Sequence, residues 1–450
     1  MTDIRFPADF LFGAATAAYQ IEGAASDDGR TPSIWDTFSH TPGRTVEGHT
    51  GDVACDHYHR LAGDLDLIGD LGLSAYRFSV SWPRVLPGGA RTPNPAGLDF
   101  YNRLVDGLLE RGVEPWLTLY HWDLPQELED AGGWPVRATA DRFTEYALAM
   151  HEALGDRVTR WTTFNEPWCS AFLGYASGDH APGRTEPARS VEAAHHLLLA
   201  HGLGVGVLRP NPVSLVVNPT SVRPVSAAEP DVAAARRVDG IINRLFLDPV
   251  LRGSYPADVL AATAALVDWD SLVRDGDLAI IGAPIDVLGV NYYQPALVGH
   301  SDVPLAAPNP WPGCERVAFH PVPAPVTAMG WAVDPTGLRD LLLRIHADYG
   351  DVPIMVTENG AAYEDRVVDG AVADAERIEY LRGHLAAAHE ALRAGVDLRG
   401  YFVWSLLDNF EWAFGYSQRF GLIHVDYRTQ ARTLKASAYW YRDVIAQGGL

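Results

Sequence analysis

Basic side chains are scarce in this sequence. Thirty-five Lys and Arg stand against 57 Asp and Glu over 450 residues, a formal charge of −22, and only one of those cations, Lys435, is a lysine. Such a balance repels phosphate backbones and anionic lipid, so neither nucleic acid nor a membrane is expected as a partner. Cysteine is scarcer still. Cys55, Cys169 and Cys314 are an odd number in a long chain, which builds no disulfide framework and suggests reduced thiols in a cytoplasmic protein. The opening MTDIRFPADFLFGAAT carries Asp3 and Asp9 and lacks the basic and continuous apolar regions of a secretory leader. No apolar run approaches the ~18 residues that a membrane-spanning helix requires. Gly202, Gly204 and Gly206 imitate a dinucleotide loop, but the motif's third glycine is missing and the stretch has a helical pattern, so no nucleotide cofactor is expected. His57 and His59 stand two apart at the start of a helix and face different ways, so they are not expected to share a metal. Asp52 or Asp56 is the expected cap of that helix.

What is present is a recurring alternation. Short runs rich in aromatic and β-branched residues fall at 10–17, 75–82, 114–121, 160–165, 213–218, 287–292, 354–358 and 398–404. Amphipathic stretches at 58–71, 100–111, 140–154, 191–208, 338–349 and 375–394 separate most of them. Eight strands alternating with helices predict an α/β fold, a (β/α)8 TIM barrel, with residues 1–450 forming one catalytic domain. Residues 41–51 and the proline-rich 299–329 do not fit a minimal barrel and are expected to be long βα loops or a lid around its mouth.

In such a barrel, polar residues at the C-terminal ends of strands gather around one pocket. Nearly every run ends in one. The first leads to Gln20 and Glu22, the second contains Arg77, and the third ends His121-Trp122-Asp123. Later runs end in Asn165-Glu166, Asn218, Asn291-Tyr292-Tyr293, Glu358-Asn359 and Trp404, the last followed by Asp408, Glu411 and Trp412. Glycoside hydrolysis requires a carboxylic acid to protonate the leaving oxygen and a carboxylate beside the anomeric carbon. Glu166 and Glu358 fit those parts. Arg77 is placed to keep Glu358 ionised while the Tyr293 hydroxyl orients it, and the rings of Trp122, Trp161 and Trp168 are expected to raise the pKa of Glu166. Gln20, Asn165 and Asn291 suit paired sugar hydroxyls, and Trp404 and Trp412 offer apolar faces to a pyranose.

The stretches FLFGAATAAYQIEG (10–23), SIWDTF (33–38), YRFSVSWPRVLP (76–87), LTLYHWDLPQ (117–126), WTTFNEP (161–167), LGVNYY (288–293), TENG (357–360) and YFVWSLLDNFEWAFGYSQRFGLIHVDY (401–427) together resemble glycoside hydrolase family one, the β-glucosidase family. The resemblance spans the chain. It implies a retaining β-glycosidase with Glu166 as acid/base and Glu358 as nucleophile, Arg77 and Tyr293 in support, and neither cofactor nor metal. It further implies that Gln20, His121, Trp122, Asn165, Trp404, Glu411 and Trp412 line the subsite of the sugar to be cleaved off, which Phe420 closes, beside the Asn291 amide. Trp168, Leu173, Asn218 and Trp331 would line the aglycone side. Plant thioglucosidases of similar pattern carry Gln in place of the acid, and 6-phospho-glycosidases lack the Glu of the Glu-Trp pair. Glu166 and Glu411 are both present, so the substrate implied is an unphosphorylated β-O-glycoside, with glucose ahead of galactose or fucose.

Other chemistries use parts of the same set. A transglycosylase would use the same glutamates, a metal-dependent sugar isomerase would take His121, Asp123 and a glutamate as ligands, and a non-catalytic barrel would bind sugar without turnover.

Overall fold

The computed structural model describes residues 4–450, so Asp3 lies outside the described residues. Eight strands close one parallel barrel: β1 (Leu11–Ala15), β2 (Ala75–Ser79), β3 (Glu114–Tyr120), β4 (Arg160–Asn165), β5 (Val213–Val217), β6 (Val287–Asn291), β7 (Ile354–Asn359) and β8 (Leu398–Trp404). Closure runs from Leu11 opposite Gly400 to Ala15 opposite Trp404, and β1 meets β2 on its other edge. Helices outside and a filled barrel inside bury both faces, which is why strands such as β2, β4 and β7 are buried along nearly their whole length and not at alternate residues.

Ala75, Trp116, Val287, Met355 and Phe402 form a separate buried cluster, with the Trp116 and Phe402 rings edge-to-face at 5.5 Å. Gly13 makes room for it, since a Cβ there would sit 2.3 Å from the Phe402 ring. The barrel is therefore a packed core, and chemistry is confined to its C-terminal mouth.

Three helices begin earlier than their apolar periodicity predicts: Pro95–Glu110, Pro187–Leu208 and Pro335–Tyr349. Each starts on a proline, whose fixed φ and missing N–H suit the first turn. Pro187–Leu208 is long and apolar enough to cross a membrane, contrary to the expectation from apolar runs, but 78% of its most apolar window is buried inside the fold. Asp56 does stand at the N-cap of His57–Asp70, yet its carboxylate bonds His59 and Arg60 and caps nothing. His57 turns inward to Asp64.

The proline-rich segment is not wholly irregular. Ala296–His300 and Val317–His320 pair antiparallel, and Val222–Pro224 joins them in a small sheet beside the barrel mouth. The prolines of residues 299–329 fall outside Ala296–His300 and Val317–His320, so they bound these strands without breaking the ladder, and Pro224 is the last paired residue of the edge strand Val222–Pro224.

Candidate active site

One cavity of about 920 Å³ opens at the C-terminal mouth, with Glu166 and Glu358 both on its wall. β4 delivers Glu166 directly. Its backbone N–H is held by Val216 of β5, and the register between these strands shifts between Thr162 and Asn165. Glu166, Trp122 and Trp412 all have positive φ, at 46°, 79° and 50°. Non-glycine residues rarely adopt that conformation, and its concentration in one pocket is strain of the kind that functional sites hold.

A buried network joins the glutamates. Arg77 Nη1 donates to Glu358 Oε1 at 2.6 Å, and Nη2 donates to Asn165 Oδ1 at 2.7 Å. Asn291 Nδ2 donates to the same Asn165 oxygen at 3.0 Å and to Glu166 Oε1 at 2.6 Å, its own carbonyl being fixed by the Thr357 hydroxyl. The Tyr293 hydroxyl donates to Glu358 Oε2 at 2.7 Å. Burial pushes Glu166 up to about 7, with the charge of Glu358 acting in the same direction. Burial raises Glu358 as well, but the Arg77 guanidinium and the Tyr293 and Asn291 donors oppose it. Only Glu358 has a cation bonded to it, so of the two carboxyls Glu166 is the one that keeps a proton.

The polar groups expected around the sugar converge here. The Asn165 amide donates to His121 Nε2 at 3.0 Å, leaving His121 Nδ1 as a buried atom with no partner in the protein. Burial, and then Arg77, hold this imidazole well below its usual pKa, so it is neutral. Gln20 directs its amide nitrogen to Asn409, Phe410 and Glu411, and its Oε1 is likewise unpartnered. Burial and the charge of Glu358 push Glu411 up to about 8. Unpaired buried polar atoms on a cavity wall mark where a ligand's hydroxyls are wanted. Trp122, Trp404 and Trp412 complete this inner end, with the Trp122 and Trp412 rings 4.6 Å apart, and Phe420 closes it beside Tyr293. Arg77, Gln20 and Asn165 are wholly buried at this end and bonded to groups that line the cavity.

The outer end holds Trp168, Leu173, Asn218 and Trp331, as the resemblance implies. It also holds Trp311 and Phe319, which the sequence did not single out. Trp311 lies 5.1 Å from the Trp168 ring and 4.9 Å from Phe319. Both come from the proline-rich segment, where no periodicity points to them. His180, also missed, sits 5.3 Å from the Trp122 ring.

Several strand-end residues are not part of the cavity. Trp161 faces outward, its indole N–H donating to Val158 and its ring against His151 of the helix Ala138–Leu154, so it does not wall Glu166. Glu22 pairs with Arg84 and Tyr101, and Asp123 is wholly buried away from the opening. Among the described residues no three His, Cys, Asp or Glu are arranged to hold a metal ion. Lys435 is wholly buried between Asp365 and Asp408, so the one lysine does not reach the sugar end.

The family model of glycosyl hydrolase family 1 matches residues 2–450. The chain belongs to glycosyl hydrolase family 1. Among its relatives in that family, the thermostable β-glucosidase B of Thermobispora bispora is 54% identical over 450 residues, which is 100% of this chain and 92% of the relative. The bifunctional β-D-glucosidase/β-D-fucosidase of Bifidobacterium breve is 51% identical and covers 98% of each chain. Among solved structures, the psychrophilic β-glucosidase of Micrococcus antarcticus superposes with a TM-score of 0.96 at 50% identity, covering 100% of both chains. The family 1 β-glucosidase of Thermotoga maritima superposes with a TM-score of 0.95 at 46% identity, again over 100% of both chains. Family 1 enzymes are retaining glycosidases that act on small-molecule glycosides.

Proposed function

We propose that this chain hydrolyses terminal non-reducing β-D-glucosyl residues of oligosaccharides and of aryl or alkyl glucosides by double displacement, with Glu358 as nucleophile and Glu166 as acid/base. The observation that carries the assignment of roles is the asymmetry of the network: Arg77 bonds Glu358, while a neutral amide, Asn291, bonds Glu166. The ionised Glu358 attacks the anomeric carbon as Glu166 gives its proton to the aglycone oxygen. The aglycone leaves and a covalent glucosyl–Glu358 ester remains. Glu166, now a carboxylate, takes a proton from water as the water attacks the same carbon, which frees Glu358 and retains configuration. Gln20, His121, Asn165, Asn291 and Glu411 supply hydrogen bonds to the glucosyl residue that Glu358 attacks, Trp404 and Trp412 its apolar floor, and Phe420 its cover. Trp168, Leu173, Asn218 and Trp331 receive the leaving group.

Residues 1–450 act as one catalytic domain in this reading. Three cysteines buried as free thiols support a cytoplasmic location. A panel of 4-nitrophenyl β-glycosides tests the sugar: the β-glucoside should be turned over ahead of the β-galactoside and β-fucoside, with β-glucose as the first product in proton NMR. α-Glucose as the first product overturns the mechanism. A β-fucoside turned over ahead of the glucoside overturns the glycone assignment and matches the activity named for the Bifidobacterium breve relative.

A further inference from the structure

Cys169 takes no part in the chemistry above, yet it touches the acid/base. It opens the π-wound helix Cys169–Ser177, its backbone N–H donates to Glu166 O at 3.0 Å, and both side chains are thereby brought together. Its sulfur lies 3.1 Å from Glu166 Oε2, and the Asn218 amide donates to that sulfur at 3.4 Å. Cys169 is 6% exposed, so this thiol is screened from bulk water.

We propose that Cys169 is a positioning residue for the acid/base: oriented by Asn218, its thiol donates to Glu166 Oε2 and fixes the direction in which the catalytic proton is given and taken. Asn291 holds Oε1 and Cys169 holds Oε2, so the carboxyl is pinned at both oxygens and does not rotate when its charge changes. The thiol acts most strongly in the second half of the reaction, when Glu166 is a carboxylate taking a proton from water. A donor to the charged form stabilises it. The other groups facing Glu166 are Glu358, Glu411, Arg77, Tyr293 and Asn291, and none of them is altered by a change at Cys169. A thiol is a weak donor, and this one has been placed where burial and the charge of Glu166 keep it protonated.

The inference rests on the acid/base role of Glu166, so the test begins there. Turnover of 4-nitrophenyl β-glucoside by the wild type, with its loss in Glu166→Ala, establishes that role, and the thiol variants then decide the proposal alone. In Cys169→Ala the alkaline limb of kcat/KM should move up by roughly half a unit to one unit, the loss of one hydrogen bond to a carboxylate. Cys169→Ser, which restores a donor, should bring the limb back. With 2,4-dinitrophenyl β-glucoside, whose aglycone leaves without a proton, kcat reports the water attack. It should fall several-fold in Cys169→Ala and recover with azide, which needs no general base. Asn218→Ala, in a half-buried side chain, should shift the limb in the same direction and keeps the test alive if Cys169→Ala folds poorly. Alkaline limbs that superimpose on the wild type in both Cys169→Ala and Asn218→Ala overturn the proposal. So does a Cys169→Ser limb displaced as far as that of the alanine variant, which would mark a packing role only.

Discussion

Replacing Lys435 by methionine should lower the melting temperature by about 3–5 °C and loosen the loop that carries Glu411, Trp412 and Phe420. Lys435 is the only lysine of the chain and is wholly buried. Its ammonium donates to Asp365 and Asp408, Asp408 also receives Arg419, and Arg377 reaches Asp365 and Asp374. Three cations thus meet three carboxylates. Methionine keeps the apolar stem but leaves two cations against three carboxylates, and breaking a buried ion pair from one side costs about 3–5 kcal/mol. An unfolding entropy of about 2.1 cal/mol/K per residue over 450 residues is roughly 0.9 kcal/mol/K, so each kcal/mol moves the midpoint by about 1 °C. The link to the site is Asp408, which also accepts the Gly421 N–H at 3.0 Å, next to Phe420. Calorimetry at neutral pH with KM for an aryl β-glucoside should show a lower midpoint and a higher KM. Adding Asp365→Asn restores the balance of charge and should recover part of the loss. A Lys435→Met protein that melts within about 1 °C of the wild type, a shift worth roughly 1 kcal/mol, would refute the view that this network ties the loop down.

With Glu166 pushed up to about 7, kcat/KM for an aryl β-glucoside should fall as pH rises through about 7, because the acid loses its proton there. A limb governed by the ordinary carboxyl value would contradict the burial argument. A carboxyl whose folded pKa lies above its unfolded value is protonated longer in the folded chain. Its burial therefore costs nothing below about pH 4.5 and roughly 3 kcal/mol above pH 7. Glu166→Gln should accordingly melt higher than the wild type at pH 8 (about 3 °C) and equally at pH 4, as scanning calorimetry can check. Trp311→Ala removes a ring packed on Trp168 and Phe319 at the aglycone end, and should lower kcat/KM for cellobiose by about 2- to 10-fold. Water attack on the glucosyl-enzyme comes after the aglycone has left, so kcat for 2,4-dinitrophenyl β-glucoside should stay unchanged in that variant.

The residues that were legible in the sequence are those whose position follows from a strand end. Glu166 and Glu358 each follow an apolar run, and a barrel brings such positions to one mouth whatever their separation along the chain. β4 and β8 have the bounds that their apolar runs predict, while Ala75–Ser79 ends three residues before the predicted 82 because Val80–Trp82 already turns into the short helix at the mouth. Trp161 shows the limit of that logic. It sits one residue before Thr162, whose hydroxyl faces the barrel interior between Trp116 and Ser214, so the alternation of the strand turns Trp161 to the outer helices. Trp311 and Phe319 were hidden for the opposite reason. They belong to a segment whose strand Val317–His320 pairs with Ala296–His300, which in turn pairs with Val222–Pro224, and no local period reports that. The ion network of Lys435 is also non-local, joining residues 365, 374, 377, 408, 419 and 435.

The assignment of Glu358 as nucleophile is tested most directly by Glu358→Gly with azide. The variant should not turn over 2,4-dinitrophenyl β-glucoside alone. With azide it should give α-glucosyl azide, because the small anion enters from the face that the missing carboxylate occupied. Formation of β-glucosyl azide instead, or full hydrolysis without azide, would contradict the assignment.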